Sequence, residues 1–270
     1  MKLSQLGELG LLAELERLGL VAGIEHDSAQ LGGGLVVTQD ALVEDVHFRL
    51  DWIGWRELGF RAAAVNLSDL AASGAVPEAF LISLAAPADT LTEDVVALYE
   101  GIGETGVPVV GGDTTAGPLV MLSVTAIGRS DRVPGRAGAQ PGDVLVVTGV
   151  LGGAGAAFRR QAYIRPPIRL DEGQRLALTA HAMLDISDGL GVDAAHLARR
   201  SGVRCVIDLE RVPLAEGATV DDLSFGEDFE LLAAVTEPGG LPVIGRVEAG
   251  AGLQLLLDGE PHDLRGYEHF

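Results

Sequence analysis

Carboxylates are the groups in this chain best able to do chemistry. The 270 residues carry 39 Asp and Glu against 19 Lys and Arg, a formal charge of −20. In so acidic a chain a single aspartate is by default a solvated surface group. Several stand in less ordinary surroundings. Asp27 lies in the glycine-rich approach to a β-branched run, Asp40 is expected to close that strand, and Asp113 follows VPVVGG. Asp185 and Asp188 share the segment MLDISDGL, and Asp69 is expected within a helix, one turn beyond Val65 and Asn66. Carboxylates at strand ends and in glycine turns can converge across a cleft, where a hard cation such as Mg²⁺ finds oxygen ligands.

Other chemistries fail on particular residues. Helix capping accounts for a lone Asp185 or Asp188, but not as readily for two carboxylates and Ser187 ahead of Gly189. A calcium loop starting at Asp185 would need an acid at its twelfth position, where His196 stands. Lys2 is the only lysine, so a Walker phosphate loop is excluded. TGVLGGAGAAF offers Gly153 and Gly155 but Phe158 in place of a third glycine, and a tight strand-to-helix turn explains it equally well.

These side chains need elements to hold them. Leu11, Leu15 and Leu18 recur at helical spacing, with Ser4 as the expected N-cap. LVVTQDALVEDVHF reads as a strand ending near Asp40, residues 55–75 as an alanine-rich helix, 79–87 as a buried strand and 91–106 as a helix with Thr92 near its cap. Strands follow at VPVVGGDTTAG and 118–129. The Gly- and Pro-rich segment 135–143 is the expected linker. Beyond it come a strand, glycine turn and helix, the stiff connection YIRPPIR, then helix, loop and helix through residue 202. The strands VRCVIDL, ELLAAVT, VIGRV and LQLLLDGE complete the chain. Strands alternating with helices in both halves favour α/β or α+β layers. With 4% aromatics the core must be aliphatic. The acidic balance argues against nucleic-acid and membrane partners, and the chain has no apolar run of about 18 residues. A lone cysteine, Cys205, excludes an internal disulfide and suits a reducing cytoplasm; it reads as a core residue.

LVEDVHF, AVNLSDLAASGA, GGDTTAGP, GRAGAQPGD, DISDGL, FGEDFELL and GYEHF occur in an order that resembles the thiamine-monophosphate kinases, within the aminoimidazole-ribonucleotide synthetase-like (PurM-like) ATP-binding superfamily. The resemblance runs from about residue 20 onward. It implies a two-domain α/β fold: an N-terminal β-sheet domain over 1–137 that binds ATP and metal and forms a homodimer, and a C-terminal α/β domain over 138–270. It implies ATP-dependent phosphorylation of thiamine monophosphate to thiamine diphosphate with Mg²⁺. By position, Asp27, Asp40, Asp69, Asp113, Asp185 and Asp188 resemble metal ligands, with Thr38 an additional one. Gly112, Asp113, Arg136 and Ser187 resemble ATP contacts, and His47, Glu227 and Tyr267 contacts to thiamine phosphate. The acceptor is a phosphate already largely dianionic near neutral pH, its second pKa being about 6, so direct transfer needs no general base.

Bland readings accompany several of these residues. Arg136 could be a surface arginine, His47 a packed or solvated histidine, Glu227 ordinary turn polarity, and Tyr267 a clamp for the chain terminus. The sequence also departs from the family pattern. Gly23, Ile24, Glu25, His26 and Asp27 stand for Gly-Ile-Gly-Asp-Asp, Thr38-Gln39-Asp40 for Ser-Thr-Asp, and Ala116 for an arginine. Tyr163 and Ile168 replace a histidine and a proline, and Phe225 replaces a glycine, where it would narrow or reshape the thiamine pocket. The alternatives are another ATP-dependent enzyme of the superfamily and a non-catalytic nucleotide-binding regulatory protein; retention of all six aspartates argues against the latter.

Overall fold

A computed structural model describes residues 2–21 and 26–267. Of the segment that departs from Gly-Ile-Gly-Asp-Asp, Gly23, Ile24 and the substituted Glu25 lie outside the described residues, whereas the substituted His26 lies within them; the end of the GYEHF tail beyond Tyr267 also lies outside. The leucine spacing near the N terminus yields two helices, α1 (Leu3–Leu6) and α2 (Glu8–Arg17), separated by Gly7 at φ 72°. Ser4 falls inside α1 and caps neither helix; Lys2 and Gly7 hold the cap positions.

The first sheet comprises β1 (Ala29–Gln30), β2 (Leu35–Val43), β3 (Val76–Ala86), β4 (Val109–Ala116) and β5 (Met121–Arg129). Its order is β1-β2-β5-β3-β4, antiparallel except for the parallel β3–β4 pair. β2 alternates, turning Val36, Thr38 and Leu42 inward and leaving Gln39 and Ala41 exposed. Asp40 does not close this strand. Ala41, Leu42 and Val43 go on pairing with Ser123, Leu122 and Met121, so Asp40 lies within the ladder.

Against the inner face lies α3 (Trp55–Ala72), with α4 (Thr92–Gly103) behind it. Helix α3 is buried almost all round, which explains why Ala62, Ala63, Ala64, Ala71 and Ala72 occupy it. Its contact with α4 is backbone to backbone. A Cβ at Gly59 would collide with the Leu98 carbonyl, and one at Gly101 with that of Arg56. Ala71 and Ala72 pack on Val146, Met183, Leu231 and Ala233, so α3 also seals the first half of the chain to the second.

The second half holds β6 (Val144–Val147), α5 (Gly153–Phe158), α6 (Leu170–Ala177), β7 (Ala182–Asp185), α7 (Leu190–Ser201), β8 (Arg204–Asp208), β9 (Leu231–Val235), β10 (Val243–Glu248), β11 (Gly252–Leu257) and β12 (Glu260–His262). The sheet order is β12-β11-β8-β10-β6-β9-β7. Strand β7 corrects the reading of helix, loop and helix through residues 173–202. Its four residues are all buried and pair with β9, so they show no period-two pattern. Leu145, Leu184, Leu197 and Leu232 lie in an aliphatic core that also buries Cys205. No described helix is long and apolar enough to cross a membrane.

Candidate active site

Three stretches of chain bring acids together. Asp27 comes from the segment before β1, Asp69 from α3 and Asp185 from the end of β7. Each offers one carboxylate oxygen within 4.8 Å of the others. Hydrogen bonds fix them. Thr38 Oγ1 donates to Asp69 Oδ2 and to the Asp27 carbonyl at 3.1 Å, and Ser68 Oγ donates to Asp185 Oδ2 at 2.6 Å. Arg136 Nε donates to Asp27 Oδ1 at 2.8 Å. Asn66 Oδ1 accepts from the Asp40 amide at 3.1 Å, tying β2 to α3 beside the acids. Ser68 and Asn66 were not among the expected site residues; their signal is the NLSD segment that carries Asp69.

Electrostatics show that this cluster lacks positive charge. Burial, then the charges of Asp40, Asp185 and Asp27, push the Asp69 carboxyl well above the usual range. Burial with the Asp27 charge carries Asp185 to about 7, and burial with Asp27 and Asp188 carries Asp40 to about 6. Asp27 is raised by burial, against the opposing pull of Arg136. One guanidinium among four such carboxylates leaves an oxygen-only, anionic donor set, which fits a hard divalent cation.

A stability signature follows. A carboxyl whose folded-state value is raised keeps its proton when the unfolded chain, titrating near 3.8, has lost it. The stability from Asp185 and Asp40 is therefore fully present below about pH 4 and is lost as pH climbs through their folded-state values of about 7 and about 6 respectively. Metal-free protein is expected to lose melting temperature between about pH 5 and about pH 8 relative to Asp185→Asn, and Mg²⁺ is expected to close that gap. Thermal melting with and without chelator measures it; a difference that ignores pH contradicts the cluster.

The acids border a cavity of about 470 Å³, also lined by His47, Ser187, Asp188, Glu227 and Tyr267. Asp40, Asp69 and Asp185 line it too. Its shape depends on a close approach. Gly226, at φ 80°, sits where a Cβ would strike the Ser187 carbonyl, which lets Glu227 N donate to that oxygen at 2.8 Å. Tyr267 N donates to the Asp188 carbonyl at 3.1 Å, bringing the tail to the same wall. Asp188 does not cap α7. Gly189 holds the N-cap position, and Asp193 in the first turn reaches back, its Oδ2 accepting from the amides of Asp188 and Gly189.

Along α3, residues 61, 65 and 69 occur at four-residue spacing and all line the cavity. Arg61 thus lies two turns, about 12 Å, from the acids. Around it the cavity is aromatic. Phe158 and Phe225 stack with centroids 4.8 Å apart, and the Arg61 guanidinium stands 5.1 Å from the Tyr163 ring centroid. Phe225 does shape this pocket, as its substitution for glycine suggests.

Gly112 and Asp113 are not brought to the site. Asp40, Val124, Ile82 and Gly112 lie in register across β2, β5, β3 and β4. That puts Gly112 about 14 Å from Asp40. Asp113, one residue on, projects from the opposite face, and every residue of β4 is exposed.

Residues 25–130 match the N-terminal domain of AIR synthase related protein, and residues 140–258 match its C-terminal domain. The mixed α/β architecture is accordingly the two-domain PurM-like fold of that class. The curated thiamine-monophosphate kinase of Aquifex aeolicus is 32% identical over 309 residues, covering 100% of both chains. That of Mycobacterium tuberculosis strain H37Rv is 36% identical, covering 96% of this chain and 90% of its own. The solved structure of AaThiL complexed with AMPPCP and TMP superposes with a TM-score of 0.92 at 33% identity, covering 100% of this chain and 99% of that one. The chain belongs to the thiamine-monophosphate kinase family.

Proposed function

We propose that this chain transfers the γ-phosphoryl group of ATP directly to the phosphate of thiamine monophosphate, releasing thiamine diphosphate and ADP. The observation that carries the reading is a cavity lined by Asp40, Asp69 and Asp185, with the Asp27 carboxylate clustered against the latter two, and by the aromatic rings of Phe158, Tyr163 and Phe225 around Arg61. That polarity suits a ligand with a phosphate at one end and heteroaromatic rings at the other. The names of the relatives, and the AMPPCP and TMP of the solved complex, agree with it.

Asp27, Asp69 and Asp185 would ligate Mg²⁺, with Asp40 and Asp188 adding carboxylates nearby and Thr38 orienting Asp69. Mg²⁺, when bound, supplies the positive charge that lets two phosphates approach and stabilises the charge spread during transfer. Arg136 orients Asp27 and lines a second cavity of about 630 Å³, which shares Asp188 and Tyr267 with the first. Arg199 and Arg200 also line it, cationic groups suited to the nucleotide phosphates, with Ser187 in the first cavity. Beside them stand Glu8, Glu16 and His196, whose imidazole is pushed down to about 4 by burial and the neighbouring arginines. His47, Glu227 and Tyr267 would hold thiamine monophosphate. With no proton to remove from the acceptor, the chain needs only to align two anions.

The same reading makes the enzyme a homodimer. Gly112 and Asp113 can serve ATP and metal only from another copy, because pleat and distance turn them from their own chain's acids. The outer face of the first sheet, with Leu81 and Met121 each more than a third exposed, suits such an interface. We divide the chain into domains 1–137 and 138–270. Residues 135–143 carry no helix or strand, and the two family segments part there. A buried lone thiol and dependence on ATP support a cytoplasmic location for the enzyme. Chromatography of thiamine monophosphate incubated with protein, ATP and Mg²⁺ is expected to yield thiamine diphosphate and ADP in equal amounts. ADP without thiamine diphosphate would overturn the reading.

A further inference from the structure

We infer that Arg61 is a positioning residue: paired with Glu227 at the aromatic end of the first cavity, it holds that carboxylate as an acceptor for a neutral amino group of the substrate. The site is thereby selective for an aminopyrimidine over its oxo counterpart. The inference rests on thiamine monophosphate being the substrate.

Arg61 is the only lysine or arginine among the described residues lining this cavity. Its side chain is 2% exposed, its Nη2 forms an ion pair with Glu227 Oε1, and its guanidinium stands over Tyr163. An arginine placed for stability satisfies its donors. Here Nε and Nη2 are buried without completing an aligned hydrogen bond. What the arrangement secures is Glu227. That residue sits at φ 57°, after Gly226, with its amide bound to the Ser187 carbonyl. A left-handed glutamate on a tethered turn is held by its surroundings, a pattern that gathers at functional sites. Its carboxylate remains 24% exposed, toward the cavity, while one oxygen faces Arg61.

Charge then selects what Glu227 can read. The Arg61–Glu227 pair has no net charge, so a thiazolium cation gains little there. A carboxylate oxygen still has lone pairs for an N–H donor. A site built to accept that hydrogen bond rejects an analogue presenting an oxygen instead, because two acceptors then face each other.

The test compares kcat/KM for thiamine monophosphate with that for its analogue carrying an oxo group in place of the pyrimidine amino group. Wild-type protein is expected to favour the amino substrate by about tenfold or more. In Arg61→Met and in Glu227→Gln that preference collapses toward unity while the KM for ATP stays within about twofold. Arg61→Lys, which keeps the charge and loses the planar stack, retains an intermediate preference and serves as the reading should Arg61→Met not fold. Wild-type preference surviving in the Arg61 variants, whatever their turnover, overturns the inference, as does turnover of both substrates alike by wild-type protein. Absence of turnover on either substrate refutes instead the parent reading of the reaction.

Discussion

Replacing Asp69 with asparagine is expected to lower kcat by about 10³-fold or more while leaving the fold intact. The buried carboxylate is one of three whose oxygens meet, and asparagine keeps its size while removing the charge that would hold Mg²⁺. The same change relieves repulsion. Burial and the charges of Asp40, Asp185 and Asp27 all oppose ionisation of Asp69, so metal-free Asp69→Asn is expected to melt about 2–4 °C above wild type. Gain of stability with loss of turnover separates a functional carboxylate from a structural one. A variant that melts lower and still turns over would show that Asp69 serves the fold.

Asp113→Asn is expected to cost about 10²-fold in kcat although the residue is exposed, on the far face of the sheet from Asp40. Its melting temperature should be unchanged, since an exposed edge residue has little to lose. The decisive form of the experiment pairs two inactive variants. In a heterodimer of Asp69→Asn with Asp113→Asn, isolated through two different tags, one site keeps its own Asp69 and receives Asp113 from the other chain. About half the wild-type activity per dimer is expected, against almost none for either homodimer. A heterodimer as inactive as its parents would mean that Asp113 does not act across an interface.

Much of this site was legible because its residues fall in short polar segments that local structure must accommodate. Asp69 follows Asn66 and Ser68 in the otherwise apolar stretch 62–72 of its helix, and Asp185 and Asp188 bracket Ser187 ahead of a glycine. Convergence was harder to read. Whether Asp113 shares a site with Asp40 depends on strand order and pleat, which no linear spacing encodes. Strand β7 escaped because four fully buried residues in an alanine- and leucine-rich stretch read as helix. The extension of β2 past Asp40 escaped because the acid reads as a terminus, whereas pairing with β5 carries the strand on. Arg61 gave no signal at all. A single arginine before three alanines reads as a solvated helix position, and only packing against Tyr163 and Glu227 reveals it.

The acidic cluster can be interrogated directly with Mn²⁺ as a paramagnetic substitute for Mg²⁺. With AMPPCP and thiamine monophosphate present, titration followed by electron paramagnetic resonance should show Mn²⁺ leaving the free aqueous signal, returning as Mg²⁺ is added, and binding far more weakly to Asp185→Asn. Mn²⁺ that binds the variant as tightly as the wild type would mean that Asp27, Asp69 and Asp185 are not the cation's ligands.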